Sequence, residues 1–173
     1  MIQVRNGVFE TNSSSQHTIA ISKHMPNVED CRGATINFTL GEYGWEFDTV
    51  VDTASYLYTA LTELYNDWPY YSMDEKFVRA ISHIVDVLEK YGVQATFQTF
   101  TKDSDFYIDH SYELIEFLSD IMVDDDMLIR FLLNHTSCVH TGNDNRDYDE
   151  DAMCERGEHI KEDDDYRYYY KGN

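Results

Sequence analysis

Phe9-Glu10-Thr11-Asn12-Ser13-Ser14-Ser15-Gln16-His17 lies between two apolar runs, Ile2 to Phe9 before it and Thr18-Ile19-Ala20-Ile21 after it, and the fold turns on how these three pieces are read. Both runs have strand character, so the polar stretch reads as the turn of an opening hairpin. Ser, Thr and Asn side chains bond readily to nearby backbone and accept tight geometry, which suits a well-made loop. The same stretch gathers a carboxylate, an amide, hydroxyls and an imidazole. Glu10 and His17 facing each other across the loop, with Ser13 between them, would supply an orienting carboxylate, a base and a nucleophile.

Outward from the hairpin, residues 34–40 alternate apolar and polar and read as a half-buried strand ended by Gly41. Gly41-Glu42-Tyr43-Gly44-Trp45-Glu46 follows neither period and reads as a loop with aromatics over the core. Helical spacing of Val50, Ala54, Leu57, Tyr58, Leu61, Leu64 and Tyr65 predicts a helix over 49–66. A second, over 73–91, is announced by Ser72 with Glu75 three residues on and closed by Gly92. Residues 93–101 alternate as a strand. Helices at 111–122 and 125–133 come next, separated by Asp124-Asp125-Asp126, which suits the start of a helix. Residues 137–141 read as a last strand, leading into the turn-forming Gly142-Asn143-Asp144-Asn145. The expected fold is α+β: a mostly antiparallel sheet with several helices packed on it, forming one domain over 1–145. From 146 to 173 the only Ile, Leu or Val is Ile160, and Asp, Glu and Tyr dominate, so this part is expected to be an acidic, Tyr-rich, irregular C-terminal extension.

Charge is the strongest compositional signal. Lys and Arg number 13 against 33 Asp and Glu, a formal charge of −20, and no Lys or Arg falls between Arg32 and Lys76 or from Asp103 to Ile129. Such a field repels phosphate backbones and disfavours direct nucleic-acid binding, whereas it attracts a basic protein groove. Asp124, Asp125 and Asp126, and Asp163-Asp164-Asp165 with Tyr166, Tyr168 and Tyr169, are the expected partner-binding residues, because Tyr offers large contact area at low entropic cost. No apolar run is long enough to span a membrane, and no basic-then-apolar leader opens the chain, so a cytoplasmic protein is expected. Three widely spaced cysteines fit a reducing compartment.

Two metal arrangements suggest themselves. Cys138, His140, Cys154 and His159 have the side-chain types of a tetrahedral zinc site, although their spacing is not that of a finger or ribbon. Two histidines near carboxylates, His17 and His110 with Glu10 and Asp109, would suit a divalent cation. No other cofactor is indicated, since the chain has neither a glycine-rich phosphate loop nor a Gly-x-Ser-x-Gly elbow.

Taken together, Val8-Phe9-Glu10-Thr11-Asn12-Ser13-Ser14-Ser15-Gln16-His17, the Gly41 to Glu46 loop, Asp109-His110-Ser111 and Gly142-Asn143-Asp144-Asn145 resemble the landmarks of an uncharacterised family of phage and Firmicute proteins over about residues 1 to 145. The resemblance implies a phage or mobile-element origin and brings no established activity. The expected function is that of an acidic inhibitor, a nucleic-acid mimic that blocks a basic nucleic-acid-binding host defence protein in the host cytoplasm, as anti-CRISPR and other counter-defence proteins do. The alternative is a small enzyme, metal-dependent or not, using Glu10, Ser13 and His17 with Asp109 and His110.

Overall fold

A computed structural model describes residues 15–44, 49–67, 72–73, 75–101, 104–109, 114–143 and 160–171. Period-two alternation in β1 (Ser15–Ser22) sends His17, Ile19 and Ile21 into the interior, each 1% exposed. Burial of one face fixes the register of a strand, because a slip of one residue would expose all three. β9 (Cys138–Asn143) and β11 (Tyr166–Lys171) flank β1 on either side, both antiparallel, with Ile19 opposite Val139 and Tyr169. β4 (Thr49–Val51) extends the sheet beyond β9, and β10 (Ile160–Glu162) beyond β11, giving the order β10-β11-β1-β9-β4.

Helices pack on the inner face of this sheet, the second and fifth against its central strands. After the short α1 (Val28–Cys31), α2 (Thr53–Tyr65) runs through the middle of the molecule, buried at every position from Ala54 to Thr62. A helix buried all round must satisfy its own polar groups. Thr59 and Thr62 accordingly donate their hydroxyls to the carbonyls of Ser55 and Tyr58, one turn back, at 2.8 and 2.7 Å. The first turn is capped by Asp52, whose carboxylate accepts from the N–H and the hydroxyl of Ser55. α3 (Glu75–Lys90) is amphipathic and buries Phe77, Ala80, Ile84, Val87 and Leu88. α4 (Ile115–Ile121) and α5 (Asp125–Leu133) follow; Asp124 caps α5 by accepting from the N–H of Met127 at 2.9 Å. The fold is thus α+β, and the helix expected at 125–133 has those bounds.

Three expectations are corrected. First, the strands expected at 34–40 and 93–101 do not join the antiparallel sheet: β2 (Thr35–Phe38) and β7 (Gln94–Phe97) pair with each other, in parallel. Each strand is entered through a positive-φ glycine, Gly33 at 81° and Gly92 at 72°, and the N–H of Gly33 donates to the carbonyl of Gly92 at 2.8 Å. The helices between them provide the crossover that parallel neighbours need. A shorter parallel pair joins β3 (Glu42–Tyr43) to β8 (Tyr107–Ile108). Second, Ser72 is not the cap of α3; it lies in β6 (Ser72–Met73), paired antiparallel with β5 (Asn66–Asp67).

Third, the C-terminal extension is not irregular where it is described. Residues 160–171 form β10 and β11, and β11 lies inside the sheet, between β10 and β1. Tyr169 belongs to the core, 5% exposed, with its ring 5.5 Å from that of Phe117. A segment poor in aliphatics does not fold alone, but this one need not, since β1 offers backbone donors and acceptors and Phe117 offers an apolar wall.

Candidate functional site

The polar landmarks around His17 are only partly described. Glu10, Ser13 and His110 lie outside the described residues, as do Glu46, Cys154 and His159. His17 is not a loop residue: it is the third residue of β1, opposite Thr141 of β9, and both are 1% exposed. Its Nδ1 is hydrogen-bonded to the hydroxyl of Tyr56 at 2.9 Å. The Tyr56 ring lies 5.4 Å from that of Tyr43, and the carbonyl of Tyr43 accepts from the N–H of Asp109 at 3.0 Å. With Ser15 opposite Asn143, this chain of contacts brings parts of all four landmarks to one region. In the described part they meet through buried or half-buried groups, the arrangement of a polar layer that ties α2, β1, β3 and β8 together.

Cys138 and His140 share the outer face of β9, two residues apart. Burial pushes the Cys138 thiol up, away from the thiolate a metal needs. Among the described residues no group of three or more His, Cys, Asp or Glu is placed to hold a metal ion.

The two aspartate runs behave differently. Asp124-Asp125-Asp126 starts α5, and Asp163-Asp164-Asp165 is the turn of the β10–β11 hairpin; 36 residues of sequence separate them, yet three cations join their surroundings. Arg130 lies 3.8 Å from the Asp124 carboxylate and donates to the carbonyl of Lys23 at 3.5 Å. Lys23 in turn donates to the carbonyl of Asp163 at 2.7 Å and pairs with Glu162 at 3.0 Å. Arg167 spans from Glu162 to Asp120, in the last turn of α4. At the other end Lys90 of α3 pairs with Asp125 at 2.7 Å, with His83 3.4 Å from the same carboxylate.

These cations are consumed within the ridge, and its carboxylates outnumber them. The backbone N–H groups of Tyr166 and Asp165 hold the Asp163 carboxyl below its usual range. The Lys23 ammonium does the same for Glu162, and the Lys90 ammonium for Asp125. Asp126, Asp164 and the α3 residues Asp86 and Glu89 remain exposed beside the paired groups. Of the partner-binding residues expected from sequence, the six aspartates, Tyr166 and Tyr168 lie at or near the surface, whereas Tyr169 is in the core. Sequence reasoning missed Lys23, Arg130 and Arg167, because which carboxylate a cation reaches is not written in its neighbours.

No family model, no curated protein and no solved structure matches the chain. Among the described residues no helix is long and apolar enough to cross a membrane.

Proposed function

We propose that this chain is an acidic inhibitor that occupies the basic nucleic-acid channel of another protein. One observation carries the reading: Arg130 joins Asp124 to the carbonyl of Lys23, Lys23 reaches the carbonyl of Asp163, and Arg167 joins Glu162 to Asp120, so that the surroundings of the two triple-aspartate runs share one network of cations. A mimic of a phosphate backbone needs negative charges fixed relative to one another, and here ion pairs and hairpin hydrogen bonds hold them while the excess charge faces water. The overall −20 supplies the long-range attraction to a basic groove and keeps nucleic acid itself away. With the phage or mobile-element origin that the resemblance implies, such an inhibitor would act in counter-defence, with a host nucleic-acid-binding protein as its target in the cytoplasm. His17 as a catalytic base is less well supported, because it lies within a strand, 1% exposed, with Nδ1 bonded to the Tyr56 hydroxyl.

The test is capture of host proteins on the immobilised chain at low and high salt, followed by competition of the captured protein's nucleic acid. The expected result is a basic partner retained at low salt, released at high salt, and displaced from its nucleic acid by the chain. An association rate that stays flat across the salt range would reject mimicry, since surface attraction is screened beyond about 8 Å at physiological ionic strength.

A further inference from the structure

β2 and β7 pair only with each other, and the hydrogen bonds that flank the pair show which backbone groups point outward. The N–H of Gln94 donates to the carbonyl of Ala34, and that of Gln98 to the carbonyl of Phe38, at 2.9 Å each. With Thr35 opposite Gln94, the parallel pattern engages Gln94, Thr96 and Gln98 with Ala34, Ile36 and Phe38. The N–H and C=O groups of Ala95 and Phe97 therefore point away from β2, and among the described residues they meet no hydrogen-bond partner.

Soluble proteins blunt such edges with charged side chains or proline. Here the chain supplies neither: residues 33–41 and 91–101 hold no Asp, Glu, Lys, Arg or Pro, in a protein that is 27% charged. The helix that packs on β7 is also incompletely covered. α3 turns His83 and Lys90 toward Asp125 of α5, and on the opposite flank of its buried stripe come Val78, Ile81 and Val85, one to two turns apart. None of the three is fully buried, and Val78 is 48% exposed. α2, which packs on β2, is buried at every position from Ala54 to Thr62 and leaves no such flank on that side.

We infer that β7 pairs with β7 of a second copy of this chain, antiparallel about a two-fold axis, making one continuous sheet β2-β7-β7-β2 with the two α3 helices side by side on one face. A strand whose outward groups sit on Ala95 and Phe97 is its own complement. Ala95 of each copy exchanges both hydrogen bonds with Phe97 of the other, and Thr96 meets Thr96 on the axis. On the inner face the half-buried Phe97, stacked on Phe38 of its own chain at 4.6 Å, then stands across from the small Ala95. Val78, Ile81 and Val85 supply the apolar contact between the helices. Charge points to the same occupant. Two chains of −20 repel each other over most of their surface, and a strip without charge is where they can approach. The inference is independent of the inhibitor reading.

The test is sedimentation velocity on the full chain over a range of concentrations, at low and high salt. The expected result is a monomer–dimer equilibrium whose dimer fraction rises with salt, because screening weakens the repulsion between copies. Capture of a basic partner has the opposite sign. Ala95→Pro removes only an outward N–H and weakens the dimer by about ten-fold or more, since each copy loses a hydrogen bond. Val78→Lys weakens it as well, although the lysine lowers the net negative charge. Val50→Lys, 62% exposed on the edge strand β4 of the other sheet, leaves the dimer intact. Where Ala95→Pro does not fold, Val78→Lys decides. A monomer at every concentration and salt overturns the inference. So does a dimer that weakens with salt, that survives either Ala95→Pro or Val78→Lys, or that Val50→Lys disrupts as strongly.

Discussion

The hydroxyl of Tyr56, on a helix, and Nδ1 of His17, on the central strand, lie 2.9 Å apart with no more than 1% of either residue exposed. This contact ties α2 to β1 across 39 residues of sequence. Leaving one partner of a buried hydrogen bond unsatisfied costs about 1 to 3 kcal/mol. Tyr56→Phe should therefore lower unfolding free energy by about that amount in a denaturant titration. His17→Ala should lower it as well, and any loss of biological effect should follow the loss of fold. A His17→Ala protein of unchanged stability that has lost its effect would instead support a catalytic histidine.

Neighbouring tyrosines on β11 should behave oppositely. Tyr169 is packed on Phe117 and bonded to Asp120, while Tyr168 faces outward. Truncating a buried aromatic costs about 3 to 5 kcal/mol, so Tyr169→Ala should come close to unfolding a domain of this size. Tyr168→Ala should leave most of the stability in place. Thermal melts of the two variants decide the matter, and equal melting temperatures would contradict the placement of β11.

Gly92 takes φ 72° where α3 gives way to β7, and a Cβ there would meet Arg32 Cγ at 3.2 Å. Left-handed backbone costs an L-residue about 1 to 2 kcal/mol. Gly92→Ala should destabilise by about that amount. Gly33→Ala is the useful comparison, because its φ is also positive, 81°, with nothing within 4 Å of the added carbon. A larger loss at 92 than at 33 would measure the contact with Arg32.

Acid should loosen the ridge. Asp163, Glu162 and Asp125 have folded-state pKa values below their ordinary ones of 3.8, 4.5 and 3.8. A depressed carboxylate contributes stability above its unfolded pKa and loses it as pH falls through the folded one. Melting temperature should fall as pH is lowered from about 5 into that range. The part carried by the lysine pairs should shrink with added salt, since these groups are exposed. Tyr168 has the opposite sign. Burial and its bond to Asp163 push the phenol up to about 12, so its contribution is complete below the ordinary value of 10.0 and is lost as pH rises through the folded one. The difference in alkaline absorbance titration between the protein and Tyr168→Phe should show a phenol ionising well above the ordinary tyrosine range.

Local patterns were legible without the structure wherever they depend on a few neighbouring residues. The apolar stripe of α3, the Asp124 cap of α5, the stop at Gly92 and the charge of −20 all follow from spacing and residue type. Strand partnership is different, because a strand satisfies its backbone with any edge that the rest of the chain presents. Only tertiary structure decides that β2 takes β7 in parallel, or that His17 belongs to a strand whose inner face is closed by Tyr56. The same holds for the tyrosine-rich end. Its composition says that it cannot bury enough surface by itself, but β1 supplies the missing hydrogen bonds and Phe117 the missing apolar contact. Docked there, the second aspartate run comes to lie on the ridge with the first, a juxtaposition that depends on the path of the chain between them.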